Sequence, residues 1–304
     1  KQNFDKKYGI RIIHQKKIVS IQTTDSQNIE KDIDNIFETI SNFKPREFWK
    51  GLPYKVSARK IEGTFDDRLE EISGKNSMDI AQSMINSADN EKINTITGSL
   101  NIVSEDFQLR NSQGLEFDDK ATYVSGIINA ESEQGNIPVS GIGHASGRTL
   151  SNFSKEQIGE DAKIMCIESI NPQKIESDTY PIIFEPYSVG ELLAFVVASN
   201  FNFKTFTEKK SCFSNKLKEE IGIKEFNLID DPYAPEGIGT KSVDDEGVET
   251  QKKYLVEKGV FKNTFSNLFD SYKEGEQSTG NASRPGSPMG RSSEPIPVSS
   301  PHNL

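Results

Sequence analysis

The chain has 304 residues and a formal net charge of −10, with 34% hydrophobic and 27% charged residues. That length suits two or three compact units, since one core rarely grows so large. The acidic balance excludes a surface built to grip nucleic acid, and the composition stops short of a disordered chain. No apolar run approaches the roughly 18 residues that a membrane span needs, the best being residues 192–198. Cys166 and Cys212 stand apart, without a CxxC partner, a pattern that suits a reducing cytoplasm. The first residue is Lys1 rather than Met, so the lack of a signal-like segment carries no weight. The expectation is a soluble, cytoplasmic protein without nucleic-acid or membrane partners.

Residues 8–23 alternate apolar and polar side chains around a short polar centre, which predicts a hairpin. Residues 27–43 switch to helical spacing, with Ile29, Ile33, Ile36, Phe37, Ile40 and Phe43 on one face and Pro45 as the stop. The aromatics and prolines of residues 44–60 predict an extended connection and a domain boundary. A second helix is expected over residues 77–88. β-like runs follow at 93–103, 107–110 and 122–130, separated by turn signals. The glycine-rich SGIGHASG, residues 140–147, lacks the spacing of a phosphate loop and predicts a structural turn. A helix over 154–169 follows, with Ser154 and Gln157 in capping-box spacing.

Further along, residues 181–184 predict a buried strand ended by Pro186. Val189, Leu192, Leu193 and Val196 then mark a helix with one apolar face. A strand is expected at 226–229 and a hairpin at 254–265, turning at Lys258-Gly259. From Ser278 to Leu304 the chain is rich in Ser, Gly and Pro, and composition alone predicts a linker. The fold class predicted is α+β in three parts. Residues 1–60 form an N-terminal helix-and-sheet domain, 61–170 a mixed middle α+β domain, and 171–304 a C-terminal domain dominated by antiparallel β-sheet.

Few residues announce chemistry. His14, His144 and His302 are the only histidines, none with a partner at helical spacing, and a zinc site built from them would need convergence from distant segments. Cys212 carries no cue for a lowered thiol pKa. Asp230-Asp231-Pro232 and Asp244-Asp245-Glu246-Gly247 hold the carboxylates that suit a hard cation. Neither follows a calcium-loop pattern, and composition alone predicts solvated turns.

Those acidic clusters belong to a longer pattern. The stretch LIDDPYAPEGIGTKSVDDEGVETQKKYLVEKGVFKNTF, residues 228–265, resembles the C-terminal signature of the TldD and PmbA (TldE) family. Glu249 stands where the family usually has proline. Ser278-Thr279-Gly280-Asn281-Ala282 resembles the family's STGNA element, and a Pro-rich passage leads to His302-Asn303-Leu304, similar to its SNL element. The resemblance is densest from Ile158 onward. It implies additional family segments before residue 8 and after residue 304.

TldD-type members carry HExxxH in the helix after the equivalent of Pro186, two histidines for zinc and a glutamate to activate water. Here that segment reads Gly190-Glu191-Leu192-Leu193-Ala194-Phe195. Neither Gly190 nor Phe195 has a donor atom for zinc. The resemblance therefore points to the PmbA/TldE branch: a subunit without catalytic or metal-binding residues of its own, and without cofactor, zinc being expected only in a TldD-type partner. Such a subunit would shape a shared cavity and hold a peptide or unfolded segment for proteolysis. The substrate-binding or interface candidates are Glu191, Asp244, Asp245, Glu246, Gly247, Ser278, Thr279, Gly280 and Asn281. The alternative is a stand-alone homodimer that binds peptides, or acts as a scaffold, without hydrolysing them.

Overall fold

The structure is a computed structural model and describes residues 4–304. The chain opens with a hairpin of β1 (Tyr8–His14) and β2 (Lys17–Thr23), paired antiparallel from Tyr8 opposite Thr23 to His14 opposite Lys17. Its two-residue turn places Gln15 and Lys16 at φ 48° and 61°. Both angles are left-handed, the geometry that matches the twist of paired strands. Helix α1 (Ile29–Thr39) follows and ends in a single 3₁₀ turn, with Ile36 and Ile40 buried. The connection after it is extended. Trp49 from this segment is buried and meets the ring of Tyr272 edge-on.

The middle of the chain is built on a three-stranded antiparallel sheet in the order β3 (Thr95–Arg110), β4 (Glu116–Ser132), β5 (Val139–Gly147). The two β-like runs expected at 93–103 and 107–110 are one continuous strand. A single turn of helix, α2 (Asp67–Glu70), precedes α3 (Gly74–Ala88), and α4 (Lys155–Glu168) follows the sheet. Leu69, Met84, Val124, Ile128, Ile158 and Ala162 join these elements in one buried cluster. At α4 the capping-box prediction fails. The Ser154 side chain makes no cap bond, and Gln157 instead donates to Asp161.

The glycine-rich run is a strand rather than a turn, because β5 lies directly against α4. A β-carbon on Gly143 would overlap the Ile158 carbonyl, and one on Gly141 the carbonyl of Ala162. Glycine is required there for the closeness of two backbones.

The C-terminal part is organised around a second core of Phe201, Leu228, Leu255, Val256, Phe261 and Phe265. A short antiparallel sheet, β6 (Leu228–Asp230), β7 (Lys253–Glu257) and β8 (Val260–Phe261), supports it, with helices α5 (Pro186–Leu192), α6 (Phe203–Thr207) and α7 (Leu268–Lys273) around it. Two-residue strands β9 (Ala282–Ser283) and β10 (Val298–Ser299) pair within the stretch whose composition predicts a linker. A third cluster of Leu115, Phe117 and Val243 packs the far end of the β3–β4 hairpin against the C-terminal part. The fold is α+β, and its named strand pairs are antiparallel.

Two expectations change here. Residues 181–184 form no strand among the described residues; they run extended and open to solvent, with Ile183 98% exposed. An apolar run makes a buried strand only where a neighbour pairs with it, and no described strand pairs with this one. The apolar helix is also divided. Helix α5 passes into a wider π-type turn, Leu193–Val197, which moves side chains round the axis. Leu193 and Val197 reach the second core, whereas Val189, Leu192, Phe195 and Val196 face outward, Phe195 at 81% exposure.

Candidate functional site

The turn Asp244-Asp245-Glu246-Gly247 is buried, and this overturns the solvated turn that composition predicts. Every carboxylate oxygen in it is committed. Asp244 Oδ1 accepts the backbone N–H groups of Glu246 and Val248, both at 2.9 Å, and Oδ2 accepts that of Ala282 at 3.0 Å. Asp245 Oδ1 accepts from Lys241 Nζ at 3.2 Å and Arg291 Nε at 3.0 Å, while Oδ2 accepts the Arg284 N–H at 2.6 Å. Glu246 takes Arg11 Nη1 at 2.5 Å on one oxygen and the Leu268 N–H at 2.8 Å on the other. Gly247 closes the turn at φ +88°, in the left-handed region where a side chain is strained.

These neighbours set the charge states. Burial alone would push the Asp245 carboxyl up, but Lys241, Arg291 and Arg284 hold it well below the usual carboxylate range. Asp244 has no cation of its own. Burial, and then the charge of Glu246, push it up to about 7 against the pull of its backbone donors. Arg291 extends the network into the middle sheet, with Nη1 on Glu105 of β3 at 2.5 Å and Nη2 on Asp119 of β4 at 2.8 Å.

The STGNA-like element adjoins a second polar cluster. Ser278 and Thr279 bond to Ser266, and Thr279 Oγ1 also donates to Asn281 Oδ1 at 2.8 Å. Asn281, fully buried, donates to Asp230 Oδ2 at 2.7 Å and receives Lys253 Nζ at 2.8 Å. His302 closes the group, its backbone N–H on Asp230 Oδ1 at 2.7 Å and its Nδ1 3.4 Å from Oδ2. Burial opposes ionisation of Asp230, yet His302, Lys253 and Asn281 hold its pKa low. Burial lowers the His302 pKa, against the pull of Asp230, which raises it. Gly280 lies against the backbone of Glu249, which spends its own carboxylate on the Ser57 N–H at 2.9 Å.

The structure therefore brings Asp244, Asp245, Glu246, Gly247, Ser278, Thr279, Gly280 and Asn281 into connected polar clusters but leaves Glu191 outside them, exposed on α5 beside Tyr187. Arg11, Glu105, Asp119, Arg291 and Lys253 are members that the sequence does not single out, whereas Asp230 and His302 stand in stretches it marks without giving them a site role. The histidines have separate surroundings: His14 stacks edge-on with Phe37, His144 lies against Tyr187, and His302 lies beside Asp230. Among the described residues no group of three His, Cys, Asp or Glu side chains is disposed to hold a metal ion. At the helix where the family resemblance places zinc, the residues do not fit the ion. Gly190 has open space and no side chain, Phe195 is a hydrocarbon, and Glu191 stands where the family's glutamate activates water, so both histidine ligand positions lack a donor.

Residues 177–304 match the family model described as the PmbA/TldA metallopeptidase C-terminal domain. A PmbA metalloprotease homologue of Buchnera aphidicola is 23% identical over 278 residues, covering 86% of this chain and 60% of that protein. An uncharacterised protein of Methanocaldococcus jannaschii is 31% identical over 178 residues, covering 58% of this chain and 41% of its own length. In three dimensions the crystal structure of TldE from Thermococcus kodakarensis superposes with a TM-score of 0.85 at 22% identity, covering 97% of this chain and 66% of that one. Residues 177–304 belong to the TldD/PmbA/TldE family, and the likeness to its members extends over most of the chain. The chain spans between 41% and 60% of the length of the first curated relatives it matches.

Proposed function

We propose that this protein is the zinc-free subunit of a TldD/TldE-like cytoplasmic metallopeptidase, which shapes a shared cavity and holds peptide for hydrolysis by a zinc-bearing TldD-type partner. The observation that carries this is the state of the α5 segment. The positions for zinc hold Gly190 and Phe195, and the surrounding apolar side chains Ile182, Ile183, Phe184, Phe195 and Val196 all lie open to solvent. A soluble chain seldom leaves so many large apolar side chains uncovered in two nearby segments, and a subunit interface is the commonest purpose of such exposure. The carboxylates of residues 244–246 serve this reading as a rigid frame, since each of their oxygens is already committed to a partner.

The test is association. Mixed with a TldD-type subunit, the protein should form a heterodimer by light scattering, and peptidase activity should require both. Phe195→Glu should weaken assembly at least tenfold while leaving the unfolding midpoint of the isolated chain unchanged. Zinc should be found with the partner. A protein that stays monomeric at micromolar concentration and ignores the partner defeats the proposal. A homodimer that binds peptides without cleaving them replaces it.

A further inference from the structure

A cavity of about 250 Å³ lies between the 238–241 loop, β9, the 285–291 loop and residues 300–302. Ile238, Met289 and the ring of Tyr123 give it an apolar side. On its wall three polar groups retain hydrogen-bonding capacity. Lys241 Nζ spends one of its three protons, on Asp245. Ser283 Oγ and His302 Nε2 bond to no described residue. The side-chain atoms that are both sealed from solvent and without a partner are Ser20 Oγ and Thr149 Oγ1, neither on this wall. Ser283 Oγ and His302 Nε2 therefore open into space rather than being sealed in protein.

His302 is the informative member. Its side chain is 2% exposed, and its Nδ1 edge is fixed by Asn281 Nδ2 at 3.1 Å and Asp230 Oδ2 at 3.4 Å. That leaves Nε2, on the opposite edge of a ring that lines the cavity. A ring nitrogen held in a rigid frame and open to the cavity is a contact that a ligand can use. Two of the ring's proton arrangements serve an anion, while the third, with the proton on Nδ1 toward Asp230, leaves Nε2 as an acceptor. With Nδ1 accepting from Asn281, Nε2 carries the proton; as an imidazolium, the ring donates to Asp230 on one edge and to the ligand on the other.

The charge of the wall selects the same class. Arg148 is buried, lies 4.3 Å over the Tyr123 ring and donates to the carbonyls of Ile238 and Thr240, all three on the cavity wall. Its other bonds go to the carbonyls of Thr64 and Thr122; Glu105 and Asp119 act on its charge from a distance, but both are paired with Arg291, and Arg148 itself makes no ion pair among the described residues. An anion in the cavity would gain from this charge behind the wall. The volume admits a group about the size of one capped amino acid, below the roughly 300 Å³ where drug-sized pockets begin.

We propose that this cavity binds a small carboxylate, through Lys241 Nζ, Ser283 Oγ and His302 Nε2, with its apolar side taking a short aliphatic group. A free amino acid and the terminal residue of a peptide share this chemistry. The experiment uses the purified 304-residue chain with isotopically labelled histidine; with three histidines, His14→Asn and His144→Asn assign the His302 signals. N-acetylalanine should shift the His302 ring resonances in a saturable way, and N-acetylalaninamide should bind at least tenfold more weakly. Ser283→Ala should weaken N-acetylalanine binding roughly five-fold, the loss of one hydrogen bond, with an unchanged unfolding midpoint. Alanine binding as tightly as its acetylated form assigns a free amino acid, and tighter binding of the acetylated form assigns a chain end. Unmoved His302 signals, or equal binding of acid and amide, overturn the proposal. The measurement needs no partner subunit, so it stands or falls apart from the peptidase reading.

Discussion

Asp66 shows how much one side chain can hold. It caps α2 through the Arg68 N–H at 3.0 Å, pairs with the Arg68 guanidinium at 2.8 Å, and accepts the Leu150 N–H at 2.9 Å. The bond to Arg68 is the largest influence on its carboxyl, which is held at about 2 against an ordinary 3.8. A carboxyl whose folded pKa lies below its unfolded value stabilises the fold above the unfolded value and loses that contribution as pH falls through the folded one. Asp66→Asn should therefore cost about 1 to 2 kcal/mol at pH 7, less than the full shift implies because Arg68 is open to solvent. The gap between wild type and variant in urea unfolding should close between about pH 4 and pH 2. A gap that persists undiminished at pH 2 would assign the loss to packing. At this scale the sequence is least legible. The acidic turn at 244–247 stands out through family resemblance, but its partners do not: Arg11 is 235 positions from Glu246, and Arg291 is 186 from Glu105. Pairings at such separations leave no periodic trace, and without them three adjacent acidic residues read as a solvated turn.

Elements with a strong local period are legible. The 8–23 hairpin, the amphipathic helices α1 and α3, and the β7–β8 hairpin at Lys258-Gly259 arise where the sequence places them. Local preference and tertiary contact agree in those segments. The glycine run at 141–147 misleads because its meaning lies outside itself, in the α4 backbone pressed onto it. That closeness is testable. On Gly143, a β-carbon would overlap the Ile158 carbonyl and stand 2.9 Å from the Ala162 nitrogen. Both obstacles are helical backbone and cannot rotate away. Gly143→Ala should destabilise the protein by about 3 kcal/mol, the upper end of the overpacking range. Gly190 is the control, another glycine but with nothing within 4 Å of where a β-carbon would stand. Gly190→Ala in α5 should be neutral or stabilising by about 0.5 to 1 kcal/mol, because alanine loses less backbone freedom on entering a helix. Equal effects at the two sites in chemical denaturation would refute the close-packing account.

Across the whole molecule, buried charge joins parts of the chain that share little apolar core. The β1–β2 hairpin contributes no residue to the three buried clusters. Its hold on the C-terminal part runs through Arg11, which pairs with Glu246 at 2.5 Å and donates to the Pro295 carbonyl at 3.1 and 2.9 Å. Gln22 adds a bond to Ser293. Removing Arg11 would leave the Glu246 carboxylate, 1% exposed, with a single backbone donor. Breaking one side of a buried pair costs about 3 to 5 kcal/mol, chiefly from the stranded charge. The hairpin can detach without exposing a core, so Arg11→Ala should act locally. Hydrogen exchange should quicken over residues 8–23 while β3–β5 and α4 keep their protection. Adding Glu246→Gln removes the stranded charge, and the double variant should recover part of the lost stability even though the hairpin stays loose. Recovery of stability without recovery of hairpin protection separates the cost of an unpaired carboxylate from the loss of a tether. Uniform loss of protection across the chain in Arg11→Ala would mean instead that the hairpin and the C-terminal part unfold as one cooperative body.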